Sequence, residues 1–330
     1  MLINSLRDIY LDQSKFPIFF GDEWLGIQRK SANTFIYYDD KNFALIPFKT
    51  QKIKFLIKSN YLYIPLDFNG KEFDSKTEKI IIEKFHIYMS KLCDIILPPQ
   101  HIVNFKSIPS NVIYFKLGII YIDLTKEIDE LLKRMSKSYS SKLRQAEKNS
   151  VQINFELSDI DEFYRIYNQT HKKQNMTAES LNYFSQFIDE IPQNIIVGKS
   201  VYLNETESSI FCLKDFETCY YEYGGTSDKT KFAGSNKLLF LKLFDNLKKQ
   251  NCRKLVLGGY RENAIEKSKL SGIQTFKFRL GGELHDGYHF IKINNSFKYN
   301  LFNLMLKIKS MITGRKLELI NLIGLEIKKS

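Results

Sequence analysis

A chain of 330 residues, of which 43% are hydrophobic, is long enough for two domains of ordinary size. Its formal net charge of +12 indicates an anionic partner, such as nucleic acid, a phosphate-bearing substrate or a membrane surface. No apolar run approaches the roughly 18 residues that a membrane-spanning helix needs, which argues against an integral membrane protein.

The N-terminus lacks the basic start and apolar core of a signal peptide. The four cysteines show no paired spacing, so neither a zinc site nor a disulfide framework is predicted. A cytoplasmic protein is therefore expected, with the inner face of the membrane as an additional location.

The first part of the chain predicts short strands followed by a helix. β-branched and aromatic runs between polar turns predict strands at 34–38, 43–48, 53–58 and 61–65. Apolar periodicity predicts a helix at 75–92, and further strands are predicted at 94–97 and 119–124. Thr125 is a predicted N-cap for the next helix, whose register continues to Asn149 with a break.

The second part predicts another meander with helices around it. Strands are predicted at 151–156, 195–202, 209–215, 218–223, 254–257, 275–280 and 287–293. Helices are predicted at 160–173, 178–188, 236–250 and 263–270. Two meanders, each followed by helices, predict two related α+β domains.

Three glycine pairs, Gly224-Gly225, Gly258-Gly259 and Gly281-Gly282, lie at or near the ends of predicted strands. Such pairs indicate either a tight turn or backbone that approaches a ligand closely. The segments that carry them read Tyr221-Glu222-Tyr223-Gly224-Gly225-Thr226-Ser227, Leu238-Leu239 and Phe276-Lys277-Phe278-Arg279-Leu280-Gly281-Gly282-Glu283.

In order and spacing, these segments resemble the C-terminal catalytic half of the Fem-type peptidyltransferases and their acyltransferase relatives. That group is a tandem-domain branch of the GNAT (Gcn5-related N-acetyltransferase) superfamily. The resemblance implies an α+β fold of tandem GNAT-like domains, each a mixed, largely antiparallel sheet flanked by helices. The expected domains are 1–135, and 136–295 with 136–150 as a connecting helix, followed by an amphipathic segment at 296–330.

The resemblance also implies site residues. Lys277 matches the family lysine that stabilises charge on the reacting acyl group; on a strand, it would share a face with Arg279, opposite Phe276 and Phe278. Glu222, expected on the strand face opposite Tyr221 and Tyr223, is the candidate carboxylate for a proton relay. An ordinary surface or ion-paired glutamate is the alternative.

Further residues are candidates for binding the donor or acceptor. They are Arg144, Tyr221, Tyr223, Gly225, Ser235, Asn236, Lys237, Phe276 and Arg279. Ser235 and Asn236 open a helix, where free backbone N–H groups favour donor phosphates; an ordinary N-cap is the alternative. Arg144 lies in a Leu-Arg-x-Ala-Glu-Lys segment that the family also carries, and a solvated basic helix is its alternative.

Two departures from the pattern bear on the donor. The phosphate-binding loop of the usual acetyltransferases, Gln/Arg-x-x-Gly-x-Gly/Ala, is not present intact. The strand before Gly258 reads Leu255-Val256-Leu257, without the acidic residue that the family often has there. The missing loop argues against an acyl-CoA donor and is compatible with an aminoacyl-tRNA donor, and both departures favour a non-catalytic GNAT fold.

The C-terminal segment carries an apolar stripe on a predicted helix. Its members are Phe297, Leu301, Leu304, Met305, Ile308, Met311 and Ile312. Lysine and arginine outnumber acidic residues in this segment. The stripe predicts either a helix packed on the domain or a helix lying on an anionic membrane.

Three functions follow as expectations. The first is an N-acyltransferase that moves an acyl group from acyl-CoA to an amino group of a cell-envelope precursor or amino sugar. The second is an aminoacyl-tRNA-dependent peptidyltransferase acting on a peptidoglycan precursor, and the third is a non-catalytic, membrane-docking GNAT fold. The expected partners are a phosphate-bearing acceptor, small or lipid-linked, together with tRNA and an anionic membrane surface; no metal is expected.

Overall fold

A computed structural model describes residues 1–100, 102–173, 178–262 and 269–313 of the chain. Its strands are β1 (Leu2–Ile3), β2 (Asn33–Asp39), β3 (Ala44–Ile53), β4 (Leu56–Tyr61), β5 (Leu66–Asp67), β6 (Ile95–Leu97), β7 (Ile113–Lys116), β8 (Gly118–Asp123), β9 (Gln152–Phe155), β10 (Ile195–Tyr202), β11 (Glu205–Lys214), β12 (Thr218–Thr226), β13 (Lys254–Tyr260), β14 (Glu283–His285) and β15 (Tyr288–Ile293). Its α-helices are α1 (Asp22–Arg29), α2 (Ser75–Met89), α3 (Ile128–Arg134), α4 (Lys137–Lys148), α5 (Ile160–Lys173), α6 (Leu181–Glu190), α7 (Ser235–Lys249), α8 (Lys269–Arg279) and α9 (Ser296–Thr313).

The chain divides into two compact units. The first unit comprises Met1–Gly118, Gly259–Ser271 and Asp286–Ser330, and the second comprises Ile119–Gly258 and Gly272–His285. Residues 119–135 thus pack with the second unit and residues from Asp286 on return to the first, which differs from the contiguous domains expected at 1–135 and 136–295.

The sheet of the first unit has the strand order β1-β2-β3-β4-β6-β15-β7, with β5 paired to β3. β2, β3 and β4 form an antiparallel meander, and α2 lies in the connection from β4 to its parallel neighbour β6. The rings of Tyr61, Phe85, Phe105 and Phe290 fill the core, and Tyr61 Oη lies 3.0 Å from His86 Nε2. Both groups are deeply buried, so each satisfies the other's polar atom.

The sheet of the second unit has the order β14-β8-β13-β12-β11-β10-β9. β9 to β12 form an antiparallel meander, and α7 lies in the connection from β12 to its parallel neighbour β13. Phe163 of α5 and Phe184 of α6 pack against Phe211 of β11, with ring centroids 5.4 and 5.3 Å away. The α+β fold of two mixed, largely antiparallel sheets flanked by helices is thereby confirmed.

The two units repeat one pattern and exchange one strand. β7 and β8 are consecutive in the sequence, yet β7 pairs with β15 in the first sheet and β8 pairs with β14 in the second. The strands β14 and β15 are likewise consecutive and separate in the same way. Each sheet therefore contains a strand whose sequence neighbour lies in the other sheet, which explains why the units are not contiguous in sequence.

The connecting region begins differently from the prediction. The Thr125 backbone N–H and hydroxyl donate to the Asp123 carboxylate at 3.1 and 2.6 Å, so Thr125 closes a turn and caps no helix. α3 begins at Ile128, with Glu127 as the N-cap. Met135 has extended backbone, with ψ of 143°, and this residue makes the predicted break before α4.

The predicted strand at 275–280 is wrong, because these residues fall within and just after α8. Gly281 ends that helix with a φ of +94°: its N–H donates to the Phe278 carbonyl, and the Gly282 N–H donates to the Lys277 carbonyl. The predicted faces are wrong as well, since Lys277 is buried while Phe278 and Arg279 are exposed. Of the helix predicted at 263–270, residues 263–268 lie outside the described residues.

α9 packs on the first unit with the face opposite the predicted stripe. Tyr299 and Phe302 join a cluster formed by Leu56, Ile95, Leu97 and Ile291. The stripe residues, except the half-buried Met305, are exposed on the other side. Residues 314–330 of the predicted segment lie outside the described residues.

Candidate functional site

The candidate site lies along β12, where its pairing with β13 stops. The two strands pair in parallel between Thr218–Tyr220 and Lys254–Val256, while β12 continues to Thr226. Beyond Tyr220, the described pairing with β13 ends and β12 pairs with β11 alone. Backbone groups on that side of the strand are thus available to a ligand.

A cavity of about 340 Å³ lies beside this part of β12. Thr170, Ser208, Ser209 and Asn236 are among the small polar residues that line it. The hydroxyl groups of the first three already hydrogen-bond within the protein, to the Ile166 carbonyl, Ser200 Oγ and the Gly198 carbonyl. The apolar lining is Ile210 together with the rings of Tyr221, Phe240 and Phe276. In the described residues this wall contains no carboxylate, and its cation, Lys173, is ion-paired with Asp228.

Gly225 lines the cavity, and α5 lies directly against this residue. A Cβ at this position would lie 2.3 Å from Thr170 Oγ1 and 3.0 Å from Ile166 Cγ2, well inside van der Waals contact. Its φ is not positive, so close approach rather than turn geometry requires the glycine. The expected closeness at the Gly224-Gly225 pair is therefore between β12 and a helix.

The start of α7 holds a buried carboxylate of the chain itself. Glu207 is 1% exposed and accepts hydrogen bonds from the backbone N–H groups of Lys231 and Phe232, at 2.9 and 3.0 Å. The Ser235 hydroxyl donates to the same carboxylate at 3.2 Å. Ser235 is thus engaged within the protein and, with Gly234 as the N-cap residue, is not itself the cap. A carboxylate of the chain therefore lies beside the first turn of α7, where donor phosphates were expected, although its backbone donors belong to the loop before the helix.

Asn236 and Lys237, the next residues of α7, have different environments. Asn236 Oδ1 is buried, lies on a residue that lines the cavity and has no hydrogen-bond partner among the described residues. Lys237 Nζ lies 5.0 Å from the Tyr139 ring centroid and donates to the Ala233 carbonyl. Burial, with the nearby charge of Lys142, lowers the pKa of Lys237 to about 8.

A β-bulge places Glu222 on β12 in an unexpected way. Phe211 pairs with Tyr223 and Cys212 with Tyr221, so Glu222 is the extra residue and side-chain alternation is broken there. Tyr221 consequently packs on Phe240 of α7, while Tyr223 packs on Phe184 of α6. The expectation that both tyrosines share a face opposite Glu222 is wrong.

Glu222 has the chemistry of a proton acceptor. Its Oε1 is buried without a hydrogen-bond partner among the described residues, and burial raises the pKa of its carboxyl group to about 7. Burial raises the pKa values of Tyr183 and Tyr223, which hydrogen-bond each other, and the nearby charge of Glu222 adds to both shifts. A carboxyl group with a pKa near neutrality exchanges protons readily at physiological pH.

Lys277 is 8% exposed on α8, and burial lowers its pKa to about 8. The neighbouring Phe276 lines the cavity and packs on Phe240, with ring centroids 5.5 Å apart. The structure thus brings Phe276, Tyr221, Gly225 and Asn236 to one cavity. Lys277 follows Phe276 in the sequence but is not one of the residues that line the cavity.

The two arginine candidates lie outside the cavity wall. Arg144 is exposed on α4, and Arg279 is exposed at the end of α8, where its backbone carbonyl accepts the Ser136 N–H at 3.1 Å. Sequence reasoning missed Glu207, Tyr183 and the hydroxyl groups of Thr170, Ser208 and Ser209. The run of small polar residues Ser208-Ser209 within an apolar strand was a usable signal.

The described residues contain neither a cluster of metal ligands nor a helix that could span a membrane. Histidine, cysteine and acidic side chains form no group of three or more there that would suit a metal ion. Within the same residues, every helix is too short or too polar to cross a bilayer.

Comparisons with known proteins agree with this architecture. Residues 119–204 match the sequence model of the FemAB family. The fold is similar to the crystal structure of FemX, with a TM-score of 0.64 at 12% identity, over 84% of this chain and 92% of that one. No curated protein matches the sequence.

Two further solved structures have similar folds. The structure of L-PGS from Bacillus licheniformis has a TM-score of 0.52 at 13% identity, over 89% of this chain and 97% of that one. The C-terminal domain (DUF2156) of a putative lysylphosphatidylglycerol synthetase from Agrobacterium fabrum has a TM-score of 0.54 at 12% identity, over 82% and 87%. The resemblance to Fem-type proteins, expected from the glycine-flanked segments, is confirmed.

Proposed function

We propose that this protein is a Fem-type aminoacyltransferase, which moves an aminoacyl group from an aminoacyl-tRNA to an amino group of a cell-envelope precursor. The FemAB match and the FemX-like fold support a transferase. The observation that favours this donor is the Glu207 carboxylate beside the first turn of α7. A coenzyme A pyrophosphate placed at that terminus would meet a buried anion, whereas a tRNA ester needs no phosphate site there.

The cavity suits the reacting end of such a donor. Asn236 Oδ1 offers an acceptor for an N–H group, as an α-amine or an attacking amine would supply. A wall without a carboxylate among its described residues, whose cation Lys173 is paired with Asp228, suits a small neutral aminoacyl side chain. The excess of basic residues in the whole chain suits tRNA and phosphate-bearing acceptors alike.

The proposed chemistry needs two titrating residues. The acceptor amine attacks the ester carbonyl, the tetrahedral oxyanion collapses with cleavage of the ester C–O bond, and the departing ribose oxygen takes up the proton that the amine gave to Glu222. The Lys277 ammonium stabilises the negative charge of the oxyanion, which is the role that its match to the family motif gives it. Glu222 accepts the proton that the amine loses, since its pKa of about 7 leaves a fraction of carboxylate free near neutrality.

Acyl transfer from acyl-CoA is the second candidate. The free edge of β12 after Tyr220 favours it, because an extended donor arm can hydrogen-bond to such an edge. The two candidates differ in the donor alone, so one experiment separates them.

The test measures transfer with both donors. Purified full-length protein is incubated with tRNA charged with labelled amino acids, or with labelled acetyl-CoA, and with lipid-linked or nucleotide-linked peptidoglycan precursors. Labelled precursor should form when charged tRNA is the donor and not when acetyl-CoA is. Coenzyme A should leave the melting temperature of the protein unchanged. Acetylated precursor, or a melting temperature raised by coenzyme A, would instead support the second candidate.

Two lysine variants check that the site is responsible. Lys277→Ala should lower the transfer rate by about 10²–10³-fold, as expected for loss of an oxyanion-stabilising group. Lys242→Ala, which removes an exposed lysine of α7, should leave the rate unchanged. Equal rates for the two variants would remove Lys277 from the mechanism.

A further inference from the structure

α9 has two apolar faces, and only one of them is covered by other described residues. Tyr299 and Phe302 point into the first unit, where they are 8% and 5% exposed. The other face consists of Phe297, Leu301, Leu304, Ile308, Met311 and Ile312, with exposures of 78, 39, 54, 50, 84 and 80%. This set, the outer face of α9, recurs every three or four residues and so forms one continuous stripe.

The charge around the outer face has one sign. α9 contains three lysines and no acidic residue. At 3.6 residues per turn, Lys307 falls at one border of the outer face, and Lys298 and Lys309 fall at the other. Lys298 pairs with Asp94 at 3.0 Å, and Lys307 and Lys309 are exposed. The 17 residues that follow α9 add four basic and two acidic side chains.

We propose that the outer face of α9 docks on the anionic surface of a lipid bilayer. Apolar side chains of a surface-lying helix enter the boundary between headgroups and acyl chains, while lysines at the borders reach anionic headgroups. A second copy of the chain fits less well. Two such helices packed face to face would bring lysines together at both borders, with no acidic residue of α9 to pair with them.

This docking is independent of the identity of the donor and acceptor, and its test uses no substrate. Full-length protein is sedimented with vesicles of equal parts phosphatidylglycerol and phosphatidylcholine, and with phosphatidylcholine vesicles alone. Binding should occur with the anionic vesicles at low salt and weaken at high salt, because salt screens the lysine–headgroup attraction. Lys277→Ala should bind vesicles like the wild type, which separates docking from catalysis.

The variant Leu304→Gln/Ile308→Gln removes two outer-face side chains. It should weaken vesicle binding by about tenfold or more, because each side chain loses its transfer into the apolar boundary. Ile80→Gln/Ile87→Gln, which removes two exposed isoleucines of α2, is the matched control and should bind like the wild type. Both variants alter exposed residues, so their melting temperatures should equal that of the wild type.

Two results would overturn the proposal. One is equal vesicle binding by the wild type and the α9 variant, or no binding by the wild type to anionic vesicles at low salt. The other is a wild-type dimer in solution that the α9 variant converts to monomer without any vesicle binding, which would assign the outer face to a second copy.

Discussion

The Ser235 hydroxyl donates to the Glu207 carboxylate at 3.2 Å, at the first turn of α7. The same carboxylate accepts the backbone N–H groups of Lys231 and Phe232, so one buried side chain organises the loop that leads into the helix. The Glu207 carboxylate thus places a negative charge of the chain itself close to the positive end of the α7 dipole.

Glu207→Gln should therefore lower the free energy of unfolding by about 1–3 kcal/mol, because charge-assisted hydrogen bonds are lost in a buried place. Glu205→Gln, on the same strand but exposed, should change it by no more than about 0.5 kcal/mol. Urea unfolding of both variants measures the difference. Equal values would show that the carboxylate does not hold the loop.

Glu222 should make stability depend on pH. Its pKa is raised by burial from 4.5 to about 7, so the native state binds more protons than the unfolded state between these values. The contribution of Glu222 to stability is present below about pH 4.5 and is lost as the pH rises through about 7. Glu222→Gln should be more stable than the wild type near pH 8, by about 1–3 kcal/mol, and should lose this advantage towards acid pH. Parallel melting curves that keep a constant spacing across this range would contradict the assignment.

Lys277 should set the alkaline limit of the transfer reaction. Burial lowers its pKa to about 8, so its ammonium group, and with it the transfer rate, should be lost as the pH rises through about 8. On the acid side, activity should rise through about pH 7 as Glu222 ionises. Lys277→Arg keeps the charge, since the arginine pKa exceeds about 12. Its residual activity should therefore show no decline near pH 8, and an unchanged alkaline limit would assign that limit to another group.

Gly225→Ala should destabilise the second unit, because the new methyl group would overlap Thr170 Oγ1 and Ile166. Overpacking of this kind costs about 1–3 kcal/mol. Gly272→Ala is the control: it lies in α8 with nothing within 4 Å, and alanine stabilises a helix by roughly 0.5–1 kcal/mol over glycine. Changes of opposite sign in the unfolding midpoints are expected, and a shared sign would contradict the close packing of α5 on β12.

The two faces of α9 should respond differently to truncation. Phe302→Ala removes a ring from the cluster around Leu56 and Ile291 and should cost about 3–5 kcal/mol, less where the site relaxes. Leu304→Ala, on the outer face, should change stability by no more than about 0.5 kcal/mol. Similar losses for both variants would mean that the outer face is covered in the folded protein. A chain ending at residue 296 would lack both Tyr299 and Phe302 and should therefore be unstable.

Local patterns sufficed where neighbours in sequence decide the structure. The meanders, α2 and α7 were predictable, because their apolar residues recur with the period of one element. Residues 275–280 were not, since the alternation of Phe276, Lys277 and Phe278 is too short to distinguish a strand from a helix. The faces of Tyr221 and Tyr223 were missed because a bulge at Glu222 leaves no mark in a single sequence.

Distant pairings were beyond sequence reasoning for a related cause. Glu207 and Ser235 are 28 residues apart, and no sequence pattern around either residue indicates that they pair. β8 pairs with β14, and β15 pairs with β6, so these contacts join residues more than 160 positions apart. Apolar periodicity carries no information about which sheet receives a strand. The Tyr-x-Tyr-Gly-Gly segment pointed to the cavity wall, but its glycine serves the packing of α5.

The exchange of strands fixes the order in which the nascent chain can mature. β6 cannot pair with β15 until that strand has left the ribosome, almost 200 residues later, and β8 likewise cannot pair with β14 until β14 is synthesised. Throughout that interval, the first sheet carries an open edge of Ile95-Ile96-Leu97, the kind of edge that recruits foreign strands. Neither sheet can be completed until β14 and β15 have been synthesised, so holdase chaperones should be needed from the synthesis of β6 until that of β15.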